Sequence, residues 1–280
     1  MKISELLRLK TTRSYEFFPP KEVAQEGVLF DSIVHLKSFP PDFVSITYGA
    51  GGSTRDKTFA WTQTLTNEHK FNTMMHLTCY GNTPETIVDT CKQLMNAGIE
   101  NVLALRGDMP QNATAMPKAF SYASELIAHI RAKCPNICIG GAGYPEKHPQ
   151  AADVNADTLA AKAKADAGAS FLVTQLFFDN NVFYKYLDRL HSAGVHLPVV
   201  AGLMPITSYK QVARFIDMCG TAIPSKLVER LEKASAIDAA KIGEEHALLQ
   251  SRELLERGVN GLHYYTLNKS ETTFNILSRL

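Results

Sequence analysis

Short apolar segments recur along the chain, and a polar stretch of helical character follows each of them. Val, Ile, Phe and Leu dominate most of these segments, and Gly, Pro or Asn bounds them, as expected for buried parallel strands. Successive segments start about 30 residues apart, which is the length of one strand plus one returning helix. The predicted strands are Ser14–Phe18, Phe43–Thr47, Thr73–Cys79, Asn101–Arg106, Ile137–Ala142, Phe171–Phe177, Val199–Met204 and Gly261–Leu267.

The intervening stretches carry helix start and stop signals. Thr83–Ala97 opens with an N-cap Thr followed by Pro84 and ends before Gly98, the usual order at the two ends of a helix. The last connection is longer than the others and has room for extra helices at Ser208–Cys219, Pro224–Ala234 and Asp238–Arg257. The pattern therefore predicts an α/β fold, a (β/α)8 TIM barrel with extra helices before strand 8, formed by residues 1–280 as a single domain.

Composition narrows the class of partner. The chain has 280 residues, 45% of them hydrophobic and 20% charged, and Lys plus Arg (29) nearly equals Asp plus Glu (28). This balance is typical of a soluble globular protein, and without a basic stripe nucleic acid is not expected as a partner. The N-terminus predicts a short amphipathic helix in place of a signal peptide, and no apolar run reaches the ~18 residues of a membrane span. Five scattered cysteines indicate reduced, buried thiols and a cytoplasmic location.

Polar residues cluster at the predicted strand ends. In a (β/α)8 barrel the carboxyl ends of the strands and the loops after them, here called the rim, build the active site. Every predicted strand except the seventh places polar groups there, which argues for a ligand pocket. These groups are Glu16, Thr47, Tyr48, His76, Thr78, Arg106, Gly107, Asp108, Tyr144, His148, Gln175, Tyr265, Asn268 and Lys269.

Glu16 is the sharpest candidate for chemistry. It lies within the apolar run Tyr15-Glu16-Phe17-Phe18, and Pro19-Pro20 ends the strand directly afterwards. Burial favours the protonated form of a carboxyl group, so Glu16 is predicted to act as a general acid near neutral pH. A structural Glu paired to a neighbouring base is the alternative.

Other polar patterns leave alternatives open. Gly49–Thr54 follows a strand but lacks the third Gly of a dinucleotide fingerprint and the Gly-Lys-Ser/Thr of a P-loop. Asp157 and Lys164 share a helix face, either as a solvated charged surface or as contacts to a ribose and a phosphate. Gln211 and Phe215 also share a face, and Phe215 is either a core residue or a stacking platform for a flat ligand.

Six motifs, in order along the chain, resemble the 5,10-methylenetetrahydrofolate reductase family, in its bacterial form that consists of the catalytic domain alone. The resemblance covers essentially the whole sequence, and most of its motifs fall on the predicted rim. The motifs are Tyr15-Glu16-Phe17-Phe18-Pro19-Pro20, Ser45-Ile46-Thr47-Tyr48-Gly49-Ala50-Gly51-Gly52, Leu105-Arg106-Gly107-Asp108, Tyr144-Pro145-Glu146-Lys147-His148-Pro149, Thr174-Gln175-Leu176-Phe177-Phe178-Asp179 and Tyr265-Thr266-Leu267-Asn268.

The resemblance implies a flavoenzyme with FAD as cofactor. It implies that NADH reduces the flavin, and that the flavin then reduces 5,10-methylenetetrahydrofolate to 5-methyltetrahydrofolate in a ping-pong sequence. Glu16 is implied as the general acid that protonates N10 of the folate. A homo-oligomeric assembly is also expected. The sequence does not distinguish NADH from NADPH, and NADH follows from the bacterial resemblance.

The resemblance also assigns residues to ligands. Asp108 is implied as a second catalytic residue, near both the flavin and the pterin. Thr47 and Gln175 are implied as NADH contacts, with Gln175 shared with the folate, and Gln211 and Phe215 as folate contacts. The implied FAD contacts are Tyr48, Ala50, His76, Arg106, Gly107, Asp108, Tyr122, Tyr144, His148, Ala151, Asp157 and Lys164.

The sequence departs from the family pattern at a few positions. Lys269 stands where the family usually has Arg, and it is implied as the partner of the folate's glutamate carboxylate. A Lys offers a point charge without the bidentate fork of Arg, so weaker folate binding is expected. Ala160 and Ala163 replace polar groups on the FAD-contacting helix. Two other functions remain as alternatives: a flavin-free barrel that transfers one-carbon groups from a pterin, and a non-catalytic flavin- or folate-binding module.

Overall fold

A computed structural model of the chain describes residues 1–20, 22–48, 55–108 and 119–280. Its strands are all parallel and pair in sequence order, and β1 also pairs with β8, which closes the barrel. The predicted (β/α)8 barrel is confirmed. The strands are β1 (Thr12–Phe17), β2 (Phe43–Ile46), β3 (Thr73–Thr78), β4 (Asn101–Leu105), β5 (Cys138–Gly143), β6 (Phe171–Thr174), β7 (Val199–Leu203) and β8 (Gly261–Tyr265).

Helices cover the outside of the barrel. Three of them lie between β7 and β8, so the extra helices predicted for that connection are confirmed. In the described part of the chain, no helix is long and apolar enough to cross a membrane. The helices are α1 (Ile3–Leu9), α2 (Glu26–Leu36), α3 (Arg55–Asn67), α4 (Pro84–Asn96), α5 (Ala123–Lys133), α6 (Val154–Asp166), α7 (Asn180–Ser192), α8 (Tyr209–Cys219), α9 (Ser225–Glu232), α10 (Ala236–Glu256) and α11 (Glu271–Leu277).

Local sequence explains where the helices begin. The N-cap Thr83 accepts a hydrogen bond from the backbone N–H of Thr86, and the Thr86 hydroxyl accepts one from the backbone N–H of Thr83. This reciprocal pair satisfies two backbone donors that the first turn leaves free. Asp153 caps α6 in the same way by accepting from Ala156 N at 2.8 Å. The α6 helix, which faces the rim, therefore starts at a fixed point.

Two strands end two or more residues earlier than the sequence predicts. β6 stops at Thr174, because the side chain of Gln175 accepts the backbone N–H of Leu176 at 2.9 Å and turns the chain away from the ladder. β8 stops at Tyr265, because Leu267 and Asn268 adopt left-handed conformations with φ of 52° and 58°. Both turns lie on the rim and direct the residues after them across the barrel mouth.

The opposite end of the barrel is closed by α1. Ile3 and Leu7 of this amphipathic helix are buried in an apolar cluster with Phe43, Met74 and Phe171. Asn101, at the start of β4, accepts the backbone N–H of Ile3 at 2.8 Å and fixes the helix in place. Apolar packing therefore fills the lower barrel, and polar groups are left to the middle and the rim.

Candidate active site

Glu16 lies inside the barrel near the carboxyl end of β1, at 7% exposure. The ladders place it opposite Ser45 on β2 and Tyr265 on β8. The Ser45 hydroxyl donates to Oε2 of Glu16 at 3.3 Å. Two imidazoles approach the same oxygen, with Nε2 of His76 at 3.4 Å and Nε2 of His263 at 3.5 Å. The predicted acid therefore has basic groups as direct neighbours.

A chain of hydrogen bonds extends from Glu16 into the core. His263 is fully buried, and its Nδ1 lies 2.8 Å from the hydroxyl of Ser14. That hydroxyl donates to the carbonyl of Leu262 at 3.2 Å, so it accepts from Nδ1–H of His263. The other ring nitrogen of His263 lies 3.3 Å from the Ser45 hydroxyl and faces Glu16. Ser14 thus fixes the orientation of the imidazole beside the carboxylate.

These neighbours decide the pKa of Glu16. Burial raises the pKa of the carboxyl, but the hydrogen bond from His263 and the charges of His76 and His263 outweigh it, so the net pKa lies below the ordinary value. Burial in turn lowers the pKa of His76, so at neutral pH this imidazole is neutral and stabilises the ionised carboxylate less than a charged imidazole would. The expectation that burial leaves Glu16 protonated is therefore wrong. Glu16 has to gain a proton before it can act as an acid, and His263 is the imidazole neighbour that can pass one to it.

Tyr265 connects Glu16 to the rest of the rim. Its hydroxyl donates to the carbonyl of Thr174 at 2.6 Å, so the side chain reaches from β8 past β7 to β6. Gly202 makes this possible, because a Cβ there would lie 2.2 Å from Thr174 O and 2.7 Å from the Tyr265 ring. Burial, with Glu16 and then Tyr144, raises the pKa of Tyr265 well above its ordinary value. The tyrosine therefore lies between the acid and the cavity that Tyr144 lines.

That cavity has a volume of about 600 Å³ and lies between the ends of β4 and β5 and the helices α5 and α6. Its size is typical of a site for a small molecule or a cofactor. It brings together most of the cofactor contacts that the resemblance implied: Arg106, Gly107, Asp108, Tyr122, Tyr144, His148, Ala151, Asp157 and Lys164. Gln150 and a series of alanines, among them Ala152, Ala156, Ala160 and Ala163, complete the lining.

Two cationic side chains face the cavity. Lys164 donates to the carbonyl of Ala142 at 2.7 Å and lies 5.7 Å from the centre of the Tyr144 ring. Burial lowers the pKa of Lys164 to about 8, although Asp157 opposes the shift. Arg106 donates to Gln150 at 2.5 Å, while its buried Nε has no hydrogen-bond partner in the described structure. A cation with spare donors in a partly desolvated cavity is suited to a phosphate group.

Asp157 is buried at 6% exposure, which rules out the solvated charged face that its spacing from Lys164 also allowed. Its Oδ1 accepts the backbone N–H of His148 at 3.3 Å. Nδ1 of His148 accepts from Gln150 N at 3.0 Å, so a neutral His148 carries its proton on Nε2. Burial raises the pKa of Asp157. Asp157 thus offers a hydrogen-bond acceptor and His148 a donor at the cavity wall, which matches the hydrogen bonds that a sugar hydroxyl makes.

Asp108 and Gly107 form the mouth of the cavity. The Asp108 side chain is 87% exposed and lies 3.9 Å from Arg106. Gly107 has a φ of 75°, and a Cβ there would lie 2.8 Å from Cβ of Thr78. Only glycine fits this turn, which brings Asp108 back over the cavity after β4.

Other predicted contacts lie elsewhere on the rim. His76 is buried beside Glu16, and Thr47 is buried directly after β2. Tyr48 is half-buried, and its hydroxyl accepts from Asn82 at 3.3 Å; it does not line the cavity. Ala50 lies outside the described residues.

The predicted folate contacts on α8 are engaged within the protein. The side-chain oxygen of Gln211 accepts from the backbone and hydroxyl of Thr207 at 2.7 Å and 2.8 Å. Phe215 is 8% exposed and packs in the apolar cluster between α8, α9 and α10, near Phe178. The core alternative therefore describes Phe215 in this conformation, and the stacking platform is not formed. Lys269 is exposed on the turn after β8.

Sequence analysis missed Ser14, Ser45 and His263 as parts of the site. Their signal was the strand period of two: Ser14 precedes Glu16 by two residues, and His263 precedes Tyr265 by two. Side chains two apart on a strand face the same way, so Ser14 and His263 belong to the layer just below the rim, whereas Ser45 pairs with Glu16 itself. The ladder register that joins them could not be derived from spacing alone.

Comparison with known proteins agrees with this arrangement. The family profile described as "Methylenetetrahydrofolate reductase" matches residues 2–280. The chain belongs to the methylenetetrahydrofolate reductase family. It is 35% identical over 269 residues to 5,10-methylenetetrahydrofolate reductase of Escherichia coli (strain K12), an alignment that covers 95% of this chain and 90% of that protein. This confirms the resemblance found in the motifs.

A plant relative in the same family is longer. Methylenetetrahydrofolate reductase (NADH) 1 of Arabidopsis thaliana is 39% identical over 290 residues, covering 97% of this chain but 48% of the plant protein. The chain thus spans about half the length of the plant member of the family. Among solved structures, a Clostridium thermocellum protein described as binding two copies of 5-methyl-5,6,7,8-tetrahydrofolic acid matches with a TM-score of 0.67 and 16% identity, over 99% of this chain and 97% of that one. At this identity the match supports the barrel fold alone.

Proposed function

We propose that this chain reduces 5,10-methylenetetrahydrofolate to 5-methyltetrahydrofolate, with NADH as electron donor and FAD as cofactor, in a ping-pong sequence. One observation carries the proposal beyond family membership. A buried carboxylate with two imidazole neighbours, Glu16, pairs with Tyr265 across the β1–β8 ladder. Tyr265 in turn interacts with Tyr144, which lines a cavity with two cationic side chains. An acid–base group and a site for a phosphate-bearing cofactor thus share one rim.

The cavity residues fit FAD. Arg106, with a buried Nε that lacks a partner, and Lys164 supply positive charge for the pyrophosphate. Asp157 and His148 supply an acceptor and a donor for ribose hydroxyls, and the alanines of α6 leave flat apolar space beside them. When bound, the flavin would supply hydride transfer between the nicotinamide and the folate's methylene carbon. The other residues proposed to contact it are Tyr48, Ala50 and His76.

Glu16 is proposed to supply the proton for the folate half-reaction. Its carboxyl gives a proton to N10, the bond between N10 and the methylene carbon breaks, and the electron pair of that bond stays on N10. The methylene carbon, now an iminium with N5, is open to a hydride. Ser45 and His263 hold the carboxyl in position, and His263 returns a proton to it. Asp108, at the cavity mouth, is proposed to act electrostatically on the bound pterin.

Substrate contacts require side chains to leave their present partners. Gln175 accepts from its neighbour's backbone and Gln211 from Thr207, so each must rotate to reach NADH or folate. Phe215 must leave part of its apolar cluster to stack on a ligand. Thr47 lies directly after β2, and Lys269, exposed after β8, is proposed to meet the glutamate carboxylate of the folate. Binding at this rim is therefore proposed to involve rearrangement of these side chains.

The test is the visible spectrum of the purified protein under nitrogen. We expect the absorption of an oxidised flavin, its loss on adding NADH, and its return on adding 5,10-methylenetetrahydrofolate. A colourless protein that takes up no added FAD would contradict the proposal and favour a flavin-free pterin enzyme. A yellow protein that NADH does not bleach would indicate a binding module.

A further inference from the structure

The loop between β5 and α6, residues 144–153, is fixed to the barrel by its own contacts. Arg189 of α7 donates to the carbonyl of Pro145 at 2.6 Å. Asp157 of α6 accepts the backbone N–H of His148 at 3.3 Å, and Lys147 donates to the carbonyl of Ala151 at 2.7 Å. Tyr144 and His148 on this loop line the cavity proposed for FAD. The shape of the cavity wall therefore does not depend on α8.

Glu146 extends from this loop to the turn that follows α8. Both of its carboxylate oxygens accept the backbone N–H of Ala222, at 2.9 Å and 2.8 Å. Pro149 of the same loop packs on this turn, with Cγ 3.6 Å from the point where a Cβ on Gly220 would stand. Gly220 ends α8 in the left-handed conformation, with a φ of 65°. The cofactor loop thus holds the carboxyl end of α8 at two adjacent points.

The α8 helix carries Gln211 and Phe215, the side chains proposed to meet the folate. Thr221, in the turn that Glu146 holds, is buried and its hydroxyl lies 3.4 Å from the carbonyl of Leu176, directly after Gln175. The turn therefore lies against the chain segment that carries a third proposed substrate contact. A change in its position would move substrate contacts and leave the cavity wall in place.

We propose that Glu146 is a positioning residue: through Ala222 it sets the place of α8 from the loop that holds the cofactor, and so governs folate binding. The inference rests on the proposed function, but Glu146 itself lines no part of the cavity. It acts through a charge-assisted hydrogen bond to the backbone N–H of Ala222, in the turn directly after α8.

Replacing Glu146 should weaken the reaction with the folate and leave the reaction with NADH unchanged. For Glu146→Ala we expect the KM for 5,10-methylenetetrahydrofolate to rise about tenfold, the size of effect that losing one charge-assisted hydrogen bond produces. The rate of NADH oxidation with a quinone acceptor and the FAD content should stay within about twofold of wild type, since the loop keeps its other contacts. Glu146→Gln keeps an acceptor oxygen and should restore most of the folate affinity. Glu146→Asp keeps the charge but is one methylene shorter, so it should behave like Glu146→Ala.

Tyr209→Phe is the matched control. Tyr209 begins α8, and its exposed hydroxyl donates to Glu232 at 2.6 Å, so the variant removes a hydrogen bond from the other end of the same helix. We expect no change in the folate KM. Hydrogen exchange gives a readout independent of turnover: the backbone amides of residues 216–222 should exchange faster in Glu146→Ala, and those of residues 144–148 should not.

The outcomes are distinguishable. An unchanged folate KM in both Glu146→Ala and Glu146→Asp would overturn the inference, and so would an equal rise in Tyr209→Phe. Faster exchange over the cofactor loop as well as α8 would also contradict it, because Glu146 would then hold the loop. If NADH does not bleach the wild-type protein, the proposed function itself fails, whatever the behaviour of Glu146.

Discussion

Oε2 of Glu16 lies 3.5 Å from Nε2 of His263, and Ser14 holds the far side of the same imidazole at 2.8 Å. Both side chains are buried at the carboxyl half of the barrel. At this distance the imidazole can pass a proton directly to the carboxylate. The acid of the proposed mechanism is therefore Glu16 together with its imidazole neighbour.

Replacing His263 should raise the pKa of Glu16. In the wild type, burial raises this pKa, but His263, together with His76 and Ser45, outweighs burial, so the net pKa is lowered. The ionised carboxylate therefore stabilises the fold at neutral pH, and that contribution is lost as the pH falls through the lowered pKa. In His263→Asn, burial dominates and the carboxyl becomes protonated at a higher pH. The pH profile of the folate half-reaction should shift to higher pH. Loss of the buried hydrogen bonds should cost about 1–3 kcal/mol of unfolding free energy, measured by urea denaturation.

His191→Asn is the control for this prediction, because His191 is an exposed histidine near the end of α7. It should leave both the pH profile and the unfolding free energy unchanged. A His263→Asn profile that coincides with that of the wild type would show that the imidazole does not set the protonation of Glu16.

Lys164 should make the proposed FAD binding dependent on pH. Burial lowers its pKa to about 8, so the side chain is cationic below that pH and loses its charge as the pH rises through it. A phosphate binds the cationic side chain more tightly, so the Kd for FAD should increase between pH 7 and pH 9. Titration of the protein with FAD, followed by quenching of flavin fluorescence, measures this Kd. Lys164→Gln should bind FAD more weakly at pH 7 and lose this pH dependence.

The same group affects the stability of the protein without FAD in the opposite direction. Because the folded pKa of Lys164 lies below its ordinary value, the unfolded chain binds more protons between about pH 8 and pH 10, and stability rises with pH in that window. Lys162→Gln, on the same helix but in an exposed i,i+4 pair with Asp166, is the control and should alter neither quantity. A Kd for FAD that stays constant across the range would remove Lys164 from the phosphate site.

Lys269 should affect binding of the folate and not reduction of the flavin by NADH. It is exposed, so its pairing with a carboxylate contributes little, and Lys269→Ala should raise the folate KM up to about fivefold. Lys269→Arg should lower the KM, because a guanidinium binds a carboxylate through two parallel hydrogen bonds. Steady-state kinetics with NADH and a quinone acceptor should be unchanged in both. An unchanged folate KM in Lys269→Ala would place the glutamate tail elsewhere.

The sequence predicts the barrel because periodicity and turn signals are local properties. Thr83 and Pro84 start α4 by contacts within one turn, and each strand is a short apolar run that its neighbours cover. The ends of β6 and β8 were predicted too far along the chain. The hydrogen bond of the Gln175 side chain ends β6, and the left-handed conformation of Leu267 and Asn268 ends β8.

The site is predictable as a set of residues but not in its energetics. Strand ends placed the predicted cofactor contacts on one rim, and one cavity brings most of these residues together. The shift in the pKa of Glu16 was predicted in the wrong direction. The apolar run around Glu16 indicates its burial, but it does not indicate the approach of His263, which lies far along the chain. Phe215 likewise depends on tertiary packing of α8 against Phe178, which no local pattern encodes.

The proposed role of Glu16 is tested most directly by separating the two half-reactions in Glu16→Gln. The amide cannot donate a carboxyl proton, so reduction of the folate by the reduced protein should fall by about 10²–10⁴. NADH reduction of the flavin should stay near wild type, since it needs no proton from Glu16. Glu5→Gln, an exposed residue of α1, is the control and should alter neither step. Stopped-flow absorption of the flavin measures both: loss of the folate step alone is the predicted result, and equal loss of both steps, or loss of neither, would contradict it.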